Sequence, residues 1–280
     1  MYAIVFHAHQ KLDRVARRHL RRYIPRDGFF PTSVQILHFE AGRGPDNAKL
    51  KRQVHGEQPW HFIDPFNSQD TELHELIAAH YEGLVQALRS QDEVQSAFQA
   101  AWLAHALVDG LTPAHHYPYE EELARLRGGE ARHTRKGLTG RVYIKSPTVR
   151  ESLLMSTKLV GPGGLLTNHA MFEAGAYALI APLSLNSSRP KQADLDHIRE
   201  VGVVEVFKEM ALEIAKLHLY DRFIAGGWTL RLTRQVRREM APRMVRMITL
   251  AWYAAFEEAQ KGPKTAKPKK TARPKAGAKR

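Results

Sequence analysis

The sequence predicts an all-α protein: a single multi-helix domain over residues 1–260 with long loops, followed by a basic tail over residues 261–280. Three observations predict it. Apolar residues recur at the 3.6-residue helical period in one segment after another. Alternating strand patterns are nearly absent, and no internal repeat is present. The tail KGPKTAKPKKTARPKAGAKR carries nine Lys/Arg, no acid and no large apolar residue. It can bury no core and is expected to be disordered.

The helices follow in order. LDRVARRHLRRY puts Leu12, Val15, Ala16, His19 and Tyr23 on one face. DTELHELIAAHYEGLVQAL begins at a capping Asp70 or Thr71 and repeats Leu73, Leu76/Ile77, His80/Tyr81, Leu84 and Leu88. DEVQSAFQAAWLAHALVDG continues the period through Val94, Phe98, Ala101/Trp102, His105 and Val108, and Gly110 ends it. NHAMFEAGAYALIAPL is a further helix, stopped near Pro182. Residues 191–225 and 228–260 read as two long amphipathic helices separated by Gly226–Gly227. Long loops are expected over 24–69, 110–148 and 157–167.

Composition narrows the class. A chain of 280 residues that is 43% hydrophobic can bury a real core. No window approaches twenty apolar residues, so no transmembrane helix is expected. MYAIVFHAHQKLDR has neither a basic n-region nor a small-residue cleavage site, which argues against a secretory signal and for a cytoplasmic address. With no cysteine, disulfides and thiolate zinc sites are excluded, and a transition metal must be held by imidazole and carboxylate. The formal charge is +13, of which the tail supplies nine, leaving about +4 on the body. The tail suits a polyanion, either nucleic acid or an anionic membrane surface.

Four groups carry chemistry. His105 and Asp109 are spaced i, i+4, which projects imidazole and carboxylate from one face about a turn apart. His115 follows after GLTPA, where Pro113 breaks the helix and turns the chain back. His169 and Glu173 in NHAMFEAG form a second i, i+4 pair. Asp46 sits in the Gly/Pro-rich stretch GRGPDNAK, and His61 precedes FIDP. A lone pair of this kind is commonly a surface or capping contact. Two such pairs and a histidine beyond a proline turn favour a metal centre. Of the other histidines, His55 reads as exposed, and His19, His74, His80, His197 and His218 as core-edge or surface residues.

On three stretches taken in order, the chain resembles the zinc-dependent phospholipase C and S1/P1-type nuclease superfamily. These are PD with HFIDP about fifteen residues later; H-x3-D-x5-H over His105, Asp109 and His115; and H-x3-E over His169 and Glu173. The resemblance covers roughly residues 7–175. It implies an all-α fold with two or three Zn2+ ions. One ion would take Asp46, His61, His105 and Asp109, and a second His115, His169 and Glu173. A third would share Asp109 and use His9, or alternatively His7, with the N-terminal backbone at Met1. From its position alone, His116 adjoins a ligand and reads either as facing away or as standing behind the ligands. Trp60, Phe66, Tyr117 and Tyr119 are candidates to line the cleft.

The implied activity is a phosphodiester hydrolase of phospholipase C type. The zinc cluster would activate water for attack on a phospholipid or nucleic-acid phosphodiester, with Asp46 orienting or deprotonating that water. The alternatives are a nuclease or nucleotidase of S1/P1 type, and a non-catalytic nucleic-acid- or membrane-binding protein on the same fold.

Overall fold

The computed structural model describes residues 2–40, 61–129 and 143–261. Among them the ordered elements are all helical. The chain runs through α1 (Tyr2–Leu20), α2 (Ser33–Glu40), α3 (Glu72–Arg89), α4 (Glu93–Gly110), a 3-10 turn (Pro113–His116), α5 (Tyr119–Leu126), α6 (Val149–Val160) and α7 (Leu165–Ile180). It continues through α8 (Gln192–Val201), α9 (Val203–Ala215), α10 (Leu219–Gly226), α11 (Leu230–Gln235), a π-helical turn (Val236–Met240) and α12 (Ala241–Gln260). No described helix is long and apolar enough to cross a membrane.

Helix α12 is the axis of the core. Met244, Val245, Ile248, Ala251, Trp252 and Ala255 are fully buried, because α1, α3, α4, α8 and α9 all pack on it. Each large side chain buried this way stabilises the fold by about 1.5–3 kcal/mol. The Trp252 indole also donates to the Ala100 carbonyl at 3.0 Å, so its one polar group is satisfied inside the core.

Helix α4 carries His105 and Asp109 and is itself enclosed by α1, α2, α3 and α12. It starts where the Asp92 carboxylate accepts the Gln95 N–H at 2.9 Å, a regular N-cap. It ends at Gly110 for a packing reason. A Cβ there would run into the Phe207 ring of α9 and lie 2.7 Å from Leu73 Cδ2 of α3. The glycine lets α9 and α3 close over the end of the helix that holds Asp109.

Several sequence expectations need correction. The first helix begins at Tyr2, ten residues before Leu12, and ends at Leu20. The expected loop 24–69 contains α2, an eight-residue helix too short for its period to stand out. The expected loop 110–148 contains the 3-10 turn and α5, and α6 and α7 run into the expected loop 157–167. Residues 191–225 form three helices instead of one. The chain turns at Gly202, whose φ of +89° suits glycine, and at His218, which takes φ +50°. Residues 228–260 comprise α11 and α12 joined by the π turn, with Pro242 in the first turn of α12.

Helices α5 and α6 form a small outlying cluster around Leu123, Ile144 and Leu159, with Leu165 and Leu166 of α7 against it. It adjoins the segment from which His169 projects. The Thr148–Glu151 capping box starts α6.

Candidate metal centre

Helices α1, α2, α4 and α7 and the 3-10 turn bring two groups of donors together. In the first, His9 of α1 meets His105 and Asp109 of α4; in the second, His115 of the turn meets His169 and Glu173 of α7. Within each group one donor atom per residue lies within 4.8 Å of the others. His9, His105, Asp109 and His115 are each less than 5% exposed.

Asp109 stands between the groups. Its Oδ2 is 3.2 Å from His105 Nε2, and its Oδ1 is 3.5 Å from His9 Nε2 and 4.0 Å from His115 Nδ1. Burial by itself raises the Asp109 carboxyl. His105, His115 and His9 outweigh it and hold the group well below the usual carboxylate range. The helix imposes the His105–Asp109 half of this geometry, as the i, i+4 spacing requires.

The second group is built around His115. Thr112, at the break before Pro113, lets the chain turn back, and the His115 backbone N–H donates to the Thr112 carbonyl at 2.8 Å. The ring's Nδ1–H donates to the Asp109 backbone carbonyl at 2.9 Å. That leaves Nε2 facing Glu173 Oε1 at 3.0 Å, with His169 Nε2 3.3 Å from the same oxygen. Burial lowers the His115 imidazole, but Asp109 and Glu173 prevail and raise it. Burial likewise raises Glu173, and His169 and His115 override it and push it far below the usual range.

His61 lies beside this second group. Its ring centroid is 5.0 Å from that of His115, because the Ile63 N–H donates to the His115 carbonyl at 3.0 Å and draws the HFIDP segment onto the turn. Asp70 accepts the Asp64 N–H at 2.8 Å and anchors the other end of that segment to the start of α3. Phe62 stacks on Tyr119 at 5.3 Å and 7°, and Tyr119 meets His169 edge-on at 5.5 Å, so two aromatic rings wall this side of the site. Tyr117 packs on Tyr220 instead, and Phe66 is 62% exposed.

His116 joins neither group. Its Nε2–H donates to the Gly110 carbonyl at 2.8 Å, and burial holds the ring neutral with a pKa lowered to about 4. His19 is buried and donates to the Leu185 carbonyl, His80 pairs with Gln99, and His197 and His218 pair with Glu209 and Asp221 at the surface. Met1, Asp46, His55, Trp60, the side chain of His7 and the tail beyond Lys261 lie outside the described residues.

Two acids at this centre were not read from the sequence. Glu40, the last residue of α2, is 2% exposed, and its Oε1 accepts from His105 Nδ1 at 3.0 Å. Asp13, one turn along α1 from His9, is also 2% exposed. Burial, then the charge of Glu40, pushes Asp13 well above the ordinary carboxylate range. Asp13 obeys the same i, i+4 rule that marked His105 and Asp109. No spacing marks Glu40, which is 65 residues from its partner.

The donor chemistry fits a divalent metal. Buried and half-buried carboxylates and imidazoles converge in threes, no thiol competes, and the histidines hold the Asp109 and Glu173 carboxyls below the usual range against the opposing effect of desolvation. No family model, no curated protein and no solved structure matches this chain.

Proposed function

We propose that this protein is a zinc-dependent phosphodiester hydrolase of phospholipase C type. The observation that carries the reading is buried Asp109 standing between two groups of metal-compatible donors, His9/His105 and His115/His169/Glu173. In this reading Asp109 is shared, His9 and His105 complete one ion's protein donors, and His115, His169 and Glu173 hold another. His61 and Asp46 are the further donors the family resemblance implies. Bound zinc would supply positive charge for the phosphoryl oxygens and lower the pKa of an attacking water.

The chain's own side chains have separate tasks. Asp109 and Glu173 keep their negative charge and balance the cations. The Asp109 carbonyl locks His115 with its proton on Nδ1, so that Nε2 is the donor. Phe62 and Tyr119 exclude water beside His169 and offer an apolar wall to a substrate. Asp46 remains the sequence-based candidate for orienting the water.

A lipid substrate is favoured by the outer face of α6. Val149, Leu153, Leu154 and Val160 are 84%, 68%, 55% and 42% exposed there, with Arg150 and Lys158 on the same exposed arc. An apolar face edged by cations suits a lipid surface. The nine charges of the tail equally suit nucleic acid, which keeps the nuclease as the second reading.

The test is elemental analysis of purified protein, followed by hydrolysis of bis-p-nitrophenyl phosphate, phosphatidylcholine vesicles and single-stranded DNA with and without chelator. The expected result is at least two zinc ions per chain and chelator-sensitive release from phosphatidylcholine. Cleavage of DNA but not lipid selects the nuclease. Less than one equivalent of metal, with no uptake from added zinc, defeats the proposal.

A further inference from the structure

Glu40, the last described residue of α2, is 2% exposed. A carboxylate buried this deeply needs a hydrogen-bond partner, and an imidazole supplies it. Glu40 Oε1 is 3.0 Å from His105 Nδ1 and 3.7 Å from His9 Nδ1. The two rings stack with centroids 4.3 Å apart and planes inclined by 17°. Their Nε2 atoms face the opposite way, toward the two oxygens of Asp109 at 3.2 and 3.5 Å. Glu40 and Asp109 therefore stand at opposite edges of one imidazole stack.

We propose that Glu40 is a positioning residue that holds His105 as its Nδ1–H tautomer, so that the His105 Nε2 lone pair and Asp109 converge on one divalent cation that His9 would share. The inference rests on the metal-centre reading above. Glu40 Oε1 can only accept from His105 Nδ1 at 3.0 Å, so that nitrogen carries the proton and the Nε2 lone pair is turned toward the cation it would share with Asp109. A ligating histidine whose other nitrogen is held by a carboxylate is both oriented and made more basic. Glu40 is not itself a donor in this arrangement, since it lies on the Nδ1 edge and Asp109 on the Nε2 edge.

The experiment compares wild type, Glu40→Gln and Glu40→Asp by zinc titration, and by long-range 1H–15N spectra of the imidazoles in metal-free protein. In Glu40→Gln one amide oxygen, without charge, replaces the carboxylate at nearly the same volume. The expected result is the Nδ1–H tautomer at His105 in wild type and mixed tautomers there in Glu40→Gln. One class of zinc sites should weaken about 10–100-fold while the His115/His169/Glu173 class is unchanged. Glu40→Asp keeps the charge and should recover part of the affinity.

Equal tautomers and equal affinity in Glu40→Gln and wild type overturn the inference. Loss of zinc with unchanged tautomers also overturns it, by making Glu40 a direct donor. If Glu40→Gln does not fold, the wild-type spectrum decides alone, because an Nε2–H tautomer at His105 refutes the assignment. A wild type that takes up no zinc removes the metal reading and this inference together, whereas equal zinc affinity across the variants removes the inference only.

Discussion

His115 and Asp109 are tied through backbone and side chain at once. The His115 Nδ1–H bonds the Asp109 carbonyl at 2.9 Å, and the same nitrogen is 4.0 Å from the Asp109 carboxylate. The residue at the centre of one donor group thus sets the orientation of the key imidazole of the other.

Asp109→Asn should therefore disturb both groups, and Glu173→Gln only one. Asparagine leaves an uncharged amide among His9, His105 and His115. Its zinc affinity should fall by more than the roughly 10–100-fold typical of losing an outer partner, at both classes of site. Glu173→Gln should lose one class and keep the other. Zinc titration of the two variants checks this, and wild-type binding in both would make these residues ordinary buried acids.

Metal removal should lower thermal stability reversibly. Zinc binds a preformed site that the unfolded chain lacks, so free zinc at about 100 times its Kd adds about 2.7 kcal/mol. For a domain of this size that corresponds to a rise in melting temperature of about 5–10 °C. A chelator-stripped sample remelted with added zinc, and with magnesium as control, provides the measurement.

Acid should destabilise the protein through histidines far from the centre as well. Burial lowers His19 and His74 below the ordinary imidazole value of 6.5. Their folded pKa values lie below their unfolded ones, so the unfolded chain binds more protons in this range. Their contribution is complete above about pH 6.5 and is lost as pH falls through that value toward the folded pKa. Both ring nitrogens of His74 are buried without a hydrogen-bond partner among the described residues. His74→Leu should accordingly match or exceed wild-type stability at neutral pH and show a flatter decline in melting temperature between about pH 7 and 5. Melts in chelator separate this effect from protonation of metal ligands. An unchanged slope would mean that His74 does not take up its proton on unfolding.

Gly110→Ala should destabilise the fold by about 1–3 kcal/mol, since its Cβ would enter space filled by Phe207 and Leu73. The strain falls beside Asp109, so zinc affinity should drop with stability. Chemical denaturation alongside zinc titration measures both, and a neutral alanine would show that α9 and α3 can yield.

Removing residues 262–280 should weaken binding to polyanions most at low salt and flatten its salt dependence, because eight of the tail's nine charges leave with it. Turnover of a small phosphodiester should be unchanged. Loss of small-substrate turnover would instead assign the tail to the active domain.

The sequence by itself determined the helical class and the contacts that live within a single helix. His105 with Asp109 and His169 with Glu173 were legible because a rise of 1.5 Å per residue leaves i and i+4 no choice but to be neighbours. The turn that returns His115 was legible because Pro113 cannot continue the helix. Breaks at Gly202 and His218 were not, since an amphipathic period runs on through a short kink and only packing against α12 decides where each segment turns. Helix α2 was missed because eight residues contain barely two periods, and its stability comes from α1 and α4. Glu40 was missed with it. Its partners lie on two other helices, and a buried acid acquires a role only when tertiary packing brings imidazoles to meet it. The grouping of ligands is likewise a tertiary outcome: Asp109 comes to stand between His9 and His115 because α1, α4 and the 3-10 turn close around one point, which no spacing along the chain encodes.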